Sequence, residues 1–375
     1  MRLVFYTISI SPHQLPLAQE LVARLGRDNY RYVHAAAMSD DRRKLGWSEV
    51  ACEWIVSEEE NQETARQLLE ECDVLLSGLR DLDLFEKRSR AGKRTIYSGE
   101  RWFKPPFGML RLLHPSYFRM AFRFMRLVKR GKLMCLPIGI IAARDMVRLW
   151  GLFSGDLRCL FRPPQLVADP KPMGTVRGYP WMRLWGYFVA PSQGHLPGEK
   201  TKPPTTRALR VLWVGRLLAL KRVDTLFKAV FAVARRRPIT LTIVGQGPER
   251  ESLRRLEKRL VERFGLVSPI SWHDAVPIAE VRVLMRQHDV YVLPSNGHEG
   301  WGAVVSEAIE EGMHVIGTYE AGASATILPN SCLYRVGDVN RLAELLTRPG
   351  TGHLACCEKE RWSAATAAES LARFV

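Results

Sequence analysis

The sequence predicts an α/β fold built of two doubly wound parallel-sheet domains. Three observations carry that expectation. Short apolar, β-rich runs alternate with helical stretches through both halves of the chain. One interval without periodicity, PSQGHLPGEKTKPPTTR over 191–207, separates the two alternations. The 375 residues, 46% hydrophobic and 25% charged, are enough for two cores of ordinary size without disulfides or metals.

In chain order, residues 3–8 are apolar and β-rich, a strand, and 15–25 form a helix. Residues 30–36 follow as a strand and a Glu/Gln-rich stretch over 58–70 as a helix. The short apolar runs 73–76 and 94–97, each flanked by turn residues, fit buried parallel strands. After the break the alternation restarts more sharply. Strand 210–214 precedes helix 222–236, and strand 239–244 precedes helix 249–264. Strand 289–293, helix 302–311 and strand 314–318 repeat the pattern. The expected domains are therefore 1–190 and 209–375, with 191–208 as linker and a last helix able to cross back. Two such domains facing each other form a cleft, the usual place for a ligand.

The seven cysteines are scattered, with no CxxC pair and no Cys/His spacing of a zinc site. Reduced thiols in a cytoplasmic protein are expected. The chain opens on a strand-like run rather than a signal-peptide pattern. Its longest apolar stretch, 134–143, is too short to span a bilayer and contains Pro137, which argues against an integral membrane protein. The net charge is +16, and 101–150 alone holds eight arginines and three lysines against the single acid Asp145. Such a surplus suits nucleic acid, an anionic membrane or an acidic substrate, and composition does not choose among them.

Four strand ends in the second half carry the chemistry. At the first, Gly215 permits a tight turn, and Arg216 and Lys221 supply two cations. They can neutralise a diphosphate; the plainer alternative is a solvated pair at a helix start. At the second, Gly245 and Gly247 let the backbone come close to a ligand or, more simply, to the next helix. At the third, Trp272 and His273 can lie beside a nucleobase, or the Trp can fill a core. The fourth is the most specific. A buried strand ends at Pro294-Ser295, followed by Glu299-Gly300-Trp301-Gly302 and then Ser306-Glu307-Ala308. Glu299, on the glycine loop, can reach sugar hydroxyls, and Glu307, about a turn into the helix, can accept from ribose. Backbone N–H groups between them can hold phosphate oxygens.

Residues 210–328 closely resemble the C-terminal domain of GT-B retaining glycosyltransferases, the large family 4 group (glycosyl transferases group 1). The stretches that carry the resemblance are VGRLLALKRVDTLFKA, IVGQGPERESL and HDVYVLPSNGHEGWGAVVSEAIEEGMHVIGT, with the Gly322 turn after it. Strand–helix order extends it more weakly to the rest. The resemblance implies a GT-B enzyme of two Rossmann-like domains, a hexosyltransferase that retains the anomeric configuration. It implies a nucleotide-sugar donor, UDP-linked by frequency in the family, with no cofactor and no metal. Arg216 and Lys221 then bind the donor diphosphate and Glu307 the ribose, while Glu299 with the Gly300, Trp301 and Gly302 amides binds sugar and phosphate. The departing phosphate helps deprotonate the incoming hydroxyl, so Glu299 positions rather than attacks. Such a mechanism asks the protein for charge and alignment.

The first half departs from that family's pattern. SISPHQLP over 9–16 stands where a Gly-Gly loop is common, and its His13 faces the cleft or lies on the surface. Trp185-Gly186-Tyr187-Phe188 replaces the usual Asn-Gly-Val-Asp, leaving Arg80, Asp81 and Glu100, at strand ends, as further candidates. Over 116–130, SYFRMAFRFMRLVKR, the residues Arg119, Arg123, Arg126 and Arg130 are spaced four, three and four and share one helical face. That stripe, free of acids in sequence, is expected to meet an anionic membrane surface or a diphosphate-lipid acceptor.

The function expected is transfer to a glycan or lipid-linked acceptor in cell-surface polysaccharide or glycolipid synthesis. The protein would be cytoplasmic, or peripheral on the inner face of the cytoplasmic membrane. Two alternatives stay open: a GT-B enzyme with a soluble phosphorylated or small-metabolite acceptor, and a non-catalytic GT-B-like binding subunit. A nucleic-acid partner is not expected, since no recognisable module for one is present.

Overall fold

The computed structural model describes residues 1–40, 50, 52–161, 171–192, 207–347 and 362–375. They form two compact units. One runs from Met1 to Ala190 and takes in Trp362–Val375; the other lies within Pro191–Arg361. Most of the stretch read as a linker, 193–206, lies outside the described residues.

In the first unit the chain alternates β1 (Leu3–Thr7), α1 (Leu15–Leu25), β2 (Tyr30–His34), β3 (Ile55–Ser57), α2 (Gln62–Glu71), β4 (Val74–Ser77), α3 (Leu82–Arg90) and β5 (Arg94–Gly99). A 3₁₀ helix (Gly108–Leu113), α4 (Pro115–Lys129), β6 (Met134–Pro137), α5 (Ile140–Ser154), the short α6 (Arg158–Phe161) and the strands β7 (Thr175–Val176) and β8 (Tyr179–Arg183) follow. The sheet order is β3-β2-β1-β4-β5-β6-β8-β7, parallel except for the β7–β8 pair. Every residue of β1 and β4 is buried, as strands covered on both faces must be.

Two charged groups inside this unit are structural. Arg88 is 1% exposed, and its guanidinium donates to the carbonyls of Leu69 (2.7 Å), Cys72 (3.1 Å) and Arg94 (2.7 Å) and to Thr95 Oγ1 (3.2 Å). A buried cation is tolerated there because carbonyl dipoles replace its water. Asp145, the one acid of the basic segment, is fully buried and accepts from Arg101 Nε (3.3 Å) and the Phe103 N–H (3.0 Å).

The second unit runs β9 (Leu209–Val214), a 3₁₀ turn (Ala219–Lys221), α7 (Val223–Ala234), β10 (Ile239–Val244), α8 (Arg250–Phe264), β11 (Ile270–His273), α9 (Ile278–Gln287), β12 (Val290–Leu293), α10 (Val304–Glu310), β13 (His314–Thr318), α11 (Gly322–Ile327), β14 (Leu333–Tyr334) and α12 (Val339–Thr347). Its sheet order is β11-β10-β9-β12-β13-β14, parallel throughout. The chain reverses direction across the sheet between β9 and β12. In open α/β sheets such a switch point, at the carboxyl ends of the strands, is where ligands bind.

At that edge two loops interlock through glycine. Gly245 has φ +140, and a Cβ on it would stand 1.9 Å from the Gly215 carbonyl oxygen; one on Gly247 would stand 2.4 Å from that of Leu217. The Leu217 N–H donates to the Gln246 carbonyl (2.8 Å) and the Glu249 N–H to that of Leu217 (3.1 Å). Gly245-Gln246-Gly247 is thus a packing device for the loop after β9. The closing helix, α13 (Ala364–Phe374), belongs to the first unit, where it packs on α1 and Arg94 donates to the carbonyls of Phe374 (3.2 Å) and Val375 (3.0 Å). Among the described residues no helix is long and apolar enough to cross a membrane.

Gly245→Ala should destabilise the protein by about 2–4 kcal/mol, because the new methyl meets backbone rather than a flexible side chain. Urea denaturation measures this; a midpoint equal to the parent's would mean the two loops are not tightly packed.

Candidate active site

The site grows from the loops after β9 and β12. The first turns through Gly215 and the 3₁₀ turn to Lys221. The second runs from Pro294 to Gly302 and enters α10. They are tied twice: the Asn296 N–H donates to the Leu220 carbonyl (2.9 Å), and Lys221 Nζ donates to Glu299 Oε2 (2.5 Å). The two side chains are 18% and 13% exposed, so little water screens the pair. Arg222, next along, holds a left-handed conformation (φ 47, ψ 39), which for a non-glycine residue costs about 1–2 kcal/mol. Its guanidinium is pinned by both carboxylate oxygens of Asp224 (3.0 and 3.2 Å), which also accepts from Lys228 (3.1 Å). This strained turn sets where Lys221 points. Arg216, on the same loop, is exposed and has no side-chain partner among the described residues.

The glycine loop is held from below. Trp301 is 1% exposed, and its indole Nε1 donates to Ser306 Oγ (3.3 Å). Gly322 and Ala323 N–H groups donate to the carbonyls of Gly300 (3.0 Å) and Trp301 (2.7 Å). A Cβ on Gly322 would lie 2.4 Å from the Gly300 oxygen, so glycine there is a requirement of contact. The Trp301 side chain is consequently a core anchor, and only its backbone is left for a ligand. Gly302 has φ +82, which ends the turn and delays α10 to Val304, two residues later than the sequence pattern places it.

Glu307 lies buried on α10. Burial pushes its carboxyl up to about 7; Arg282 opposes this and Glu311 adds to it. The fully buried Tyr291 hydroxyl, on β12, has no hydrogen-bond partner among the described residues. Burial raises its pKa, and the charges of both Glu299 and Glu307 raise it further. The charges of both acids therefore reach one buried hydroxyl.

A supporting network escaped the sequence reading. Glu311, one turn beyond Glu307, is paired with Arg282 and with Arg286 (3.0 Å) on α9 and accepts from Ser192 Oγ (2.8 Å). Glu310 accepts from the Ser192 N–H (2.7 Å). The i, i+4 spacing of Arg282 and Arg286 was the available signal, but spacing does not show that two helices face each other.

Other candidates fall elsewhere. Trp272 is committed to α8: its Nε1 donates to Glu257 Oε2 (2.9 Å), Arg254 lies 4.4 Å from the ring centroid, and Phe227 meets it edge-on at 5.6 Å. Alternation along β11 thus turns the indole onto the helix face, where these contacts hold it. His273 is exposed, and its carbonyl accepts from the Gly245 N–H (3.1 Å). In the first unit, burial lowers the His13 imidazole to about 4, so it is neutral at pH 7, and its carbonyl accepts from the Phe188 N–H (3.1 Å). Arg80 stacks 3.9 Å over Trp102 and donates to Tyr97 Oη (3.0 Å), and Asp81 caps α3 by accepting from the Leu84 N–H (3.0 Å). Glu100 accepts from Lys104 (2.5 Å) and from Tyr187 (3.3 Å), within the segment that replaces the family's usual motif.

The arginine stripe on α4 is not acid-free in the folded chain. Arg123 pairs with Asp83 (2.5 Å) and Glu86 (3.0 Å), and Arg126 with Glu86 (3.2 Å), all from α3. Arg119 and Arg130 are exposed. Sequence spacing showed the face but not the neighbouring helix that neutralises half of it. Among the described residues no group of three His, Cys, Asp or Glu side chains is placed to hold a metal ion.

Residues 208–348 match the family model described as glycosyl transferases group 1. No curated protein matches the chain by sequence. Among solved structures the chain is similar to Anabaena HepE in complex with UDP and glucose, at 15% identity, covering 100% of this chain and 99% of that one, with a TM-score of 0.59. It is also similar to the lipopolysaccharide outer core galactosyltransferase WaaB, at 14% identity, 100% and 98% coverage and a TM-score of 0.58. A third is the E. coli trehalose-6-phosphate protein bound with UDP-2-fluoro glucose, at 14% identity, 100% and 96% coverage and a TM-score of 0.59. The fold is accordingly GT-B, and the match to the group 1 glycosyltransferase model lies within its second unit.

A carboxyl group raised by burial favours its neutral form. Glu307 therefore stabilises the empty protein below its ordinary value of 4.5, and that stability is lost as pH rises through about 7. Replacing it by the uncharged Gln removes the dependence. Nucleotide-free melts of Glu307→Gln should gain on the parent progressively from about pH 5 to about pH 8. A gap between the two melting points that stays constant with pH would show that Glu307 is not held neutral.

Proposed function

We propose that the protein transfers a sugar, with retention at the anomeric carbon, from a UDP-sugar to a glycan or lipid-linked hydroxyl in cell-surface polysaccharide or glycolipid synthesis. The observation that carries this reading is the Lys221–Glu299 pair, which ties together the loops after β9 and β12, with the buried Glu307 on the helix that the second loop enters. A nucleoside diphosphate is the ligand that suits it. The diphosphate takes Lys221 and Arg216, which compensate the charge of the leaving group. Glu299, released from Lys221, accepts from sugar hydroxyls. Glu307 accepts from ribose hydroxyls, and those hydrogen bonds favour its charged form. Cationic side chains do here what a divalent ion does elsewhere, so neither metal nor cofactor is part of the proposal. The first unit receives the acceptor, with His13 as its candidate contact. The UDP complexes of HepE and the E. coli protein support the donor class. WaaB, a lipopolysaccharide galactosyltransferase by its description, supports the acceptor class.

Two measurements test the assignment. Lys221→Ala and Glu307→Ala should each lower sugar transfer by about 100-fold or more, and full turnover in both would remove it. Glu299→Gln separates the roles. It frees Lys221 for the diphosphate, so calorimetry should find UDP bound at least as tightly as by the parent while transfer falls on the order of 100-fold. Weaker UDP binding with unchanged transfer would reverse the roles given to this pair.

A further inference from the structure

The 3₁₀ helix Gly108–Leu113 presents an apolar ridge to solvent. Residues three apart on a 3₁₀ helix stand in line. Phe107, immediately before it, Leu110 and Leu113 have that spacing and are 63%, 65% and 80% exposed. On the adjoining α4, Phe118 and Phe122 are four apart and half exposed, and both pack against Phe153 of α5, with ring centroids at 5.4 and 6.0 Å. Five large apolar side chains within sixteen residues thus face water on neighbouring elements. Isolated exposed apolar residues need no explanation, but a continuous group does.

The charge around this group selects its partner. Residues 101–144 contain no acid. With Arg123 and Arg126 neutralised by α3 and Lys129 Nζ donating to the Phe153 carbonyl, the exposed cations left on and just beyond α4 are Arg119, Arg130 and Lys132. Arg119 and Arg130 lie on the face that borders the Phe118–Phe122 row. An apolar ridge edged by unpaired cations is the arrangement that enters the headgroup region of an anionic bilayer: the rings and leucines insert and the cations meet lipid phosphate.

We infer that the 3₁₀ helix Gly108–Leu113 and the adjoining face of α4 dock the protein onto an anionic membrane surface, with Phe107, Leu110 and Leu113 as the inserted edge. This inference concerns the first unit's surface and stands apart from the donor site, so it survives if the transferase reading fails. Of the four arginines on this face of α4, Arg123 and Arg126 are paired with α3 and only Arg119 and Arg130 contribute attraction, while the insertion comes from the ridge.

The test uses the full chain and sedimentation with phosphatidylcholine vesicles, with and without phosphatidylglycerol. The parent should pellet with anionic vesicles and on the order of tenfold less with neutral ones. Leu110→Glu/Leu113→Glu should reduce anionic binding by tenfold or more in order of magnitude, and Arg119→Glu/Arg130→Glu should reduce it several-fold. Arg255→Glu/Lys258→Glu, on the exposed side of α8, should leave it unchanged and so controls for net charge. All these side chains are exposed, so melting points should match the parent's. Absence of parent binding overturns the inference, as does equal binding by the leucine variant. It is also overturned if that variant only converts a dimer to a monomer in sedimentation velocity, which would make the occupant a second copy of the chain.

Discussion

The Lys221–Glu299 ion pair ties together the two loops from which the proposed donor site is built. Each side chain sits on a different loop, and without the pair two nearly buried opposite charges would face a low-dielectric edge alone. The pair therefore fixes both loops and balances these two charges against each other. It is also exchangeable. In the proposed donor complex a diphosphate would offer Lys221 more negative charge than one carboxylate does, and the displaced carboxylate would gain sugar hydroxyls to accept from. Preorganisation of this kind asks for little rearrangement when the ligand arrives, because the partners change while the loops remain.

Backbone contacts make that stability possible. Gly245 and Gly247 press against the loop after β9, and Gly322 presses against the loop after β12. Each contact is too close for any Cβ, so the loops are held by main chain and not by side chains that a ligand would displace. Arg222 adds a local strain, relieved by Asp224. Behind Glu307, the Arg282–Glu311–Ser192 network anchors α10 to α9 and to the first residues of the segment that enters this unit. Burial is the main cause of the raised Glu307 pKa, and Arg282 and Glu311 act on it with opposite sign.

Where periodicity and local turn chemistry decide, the sequence was legible. The strands Ile239–Val244 and His314–Thr318 have the limits that alternation and flanking turn residues predict. The convergence of Lys221 with Glu299 was readable as a motif order, since adjacent parallel strands bring their carboxyl ends together. Facts that depend on which helix lies beside which were not readable. Trp272 turned out to face α8, Arg80 to stack on Trp102, and Arg123 with Arg126 to meet α3. In each case the residue type was noticed and its partner, distant in sequence, was not. The 3₁₀ ridge was missed for another reason: a spacing of three fits neither the helical nor the strand template in a segment so short.

This contrast explains why the two units differ in how much of their function can be read. In the second, backbone geometry at strand ends dictates the chemistry, and short motifs encode it with glycine, one lysine and two glutamates. In the first, the same strand ends are occupied by groups already engaged with one another: Asp81 with its helix, Arg80 with Trp102, Glu100 with Lys104 and Tyr187. A group that is satisfied within the fold has less to offer a ligand, whatever its charge suggests in sequence. The same reasoning governs the basic segment. Its formal charge is large, but Asp145, Glu100, Asp83 and Glu86 neutralise the members that point inward or along the sheet's helices. What is left over is a small set of unpaired cations beside an apolar ridge, and that remainder defines how this face meets its surroundings.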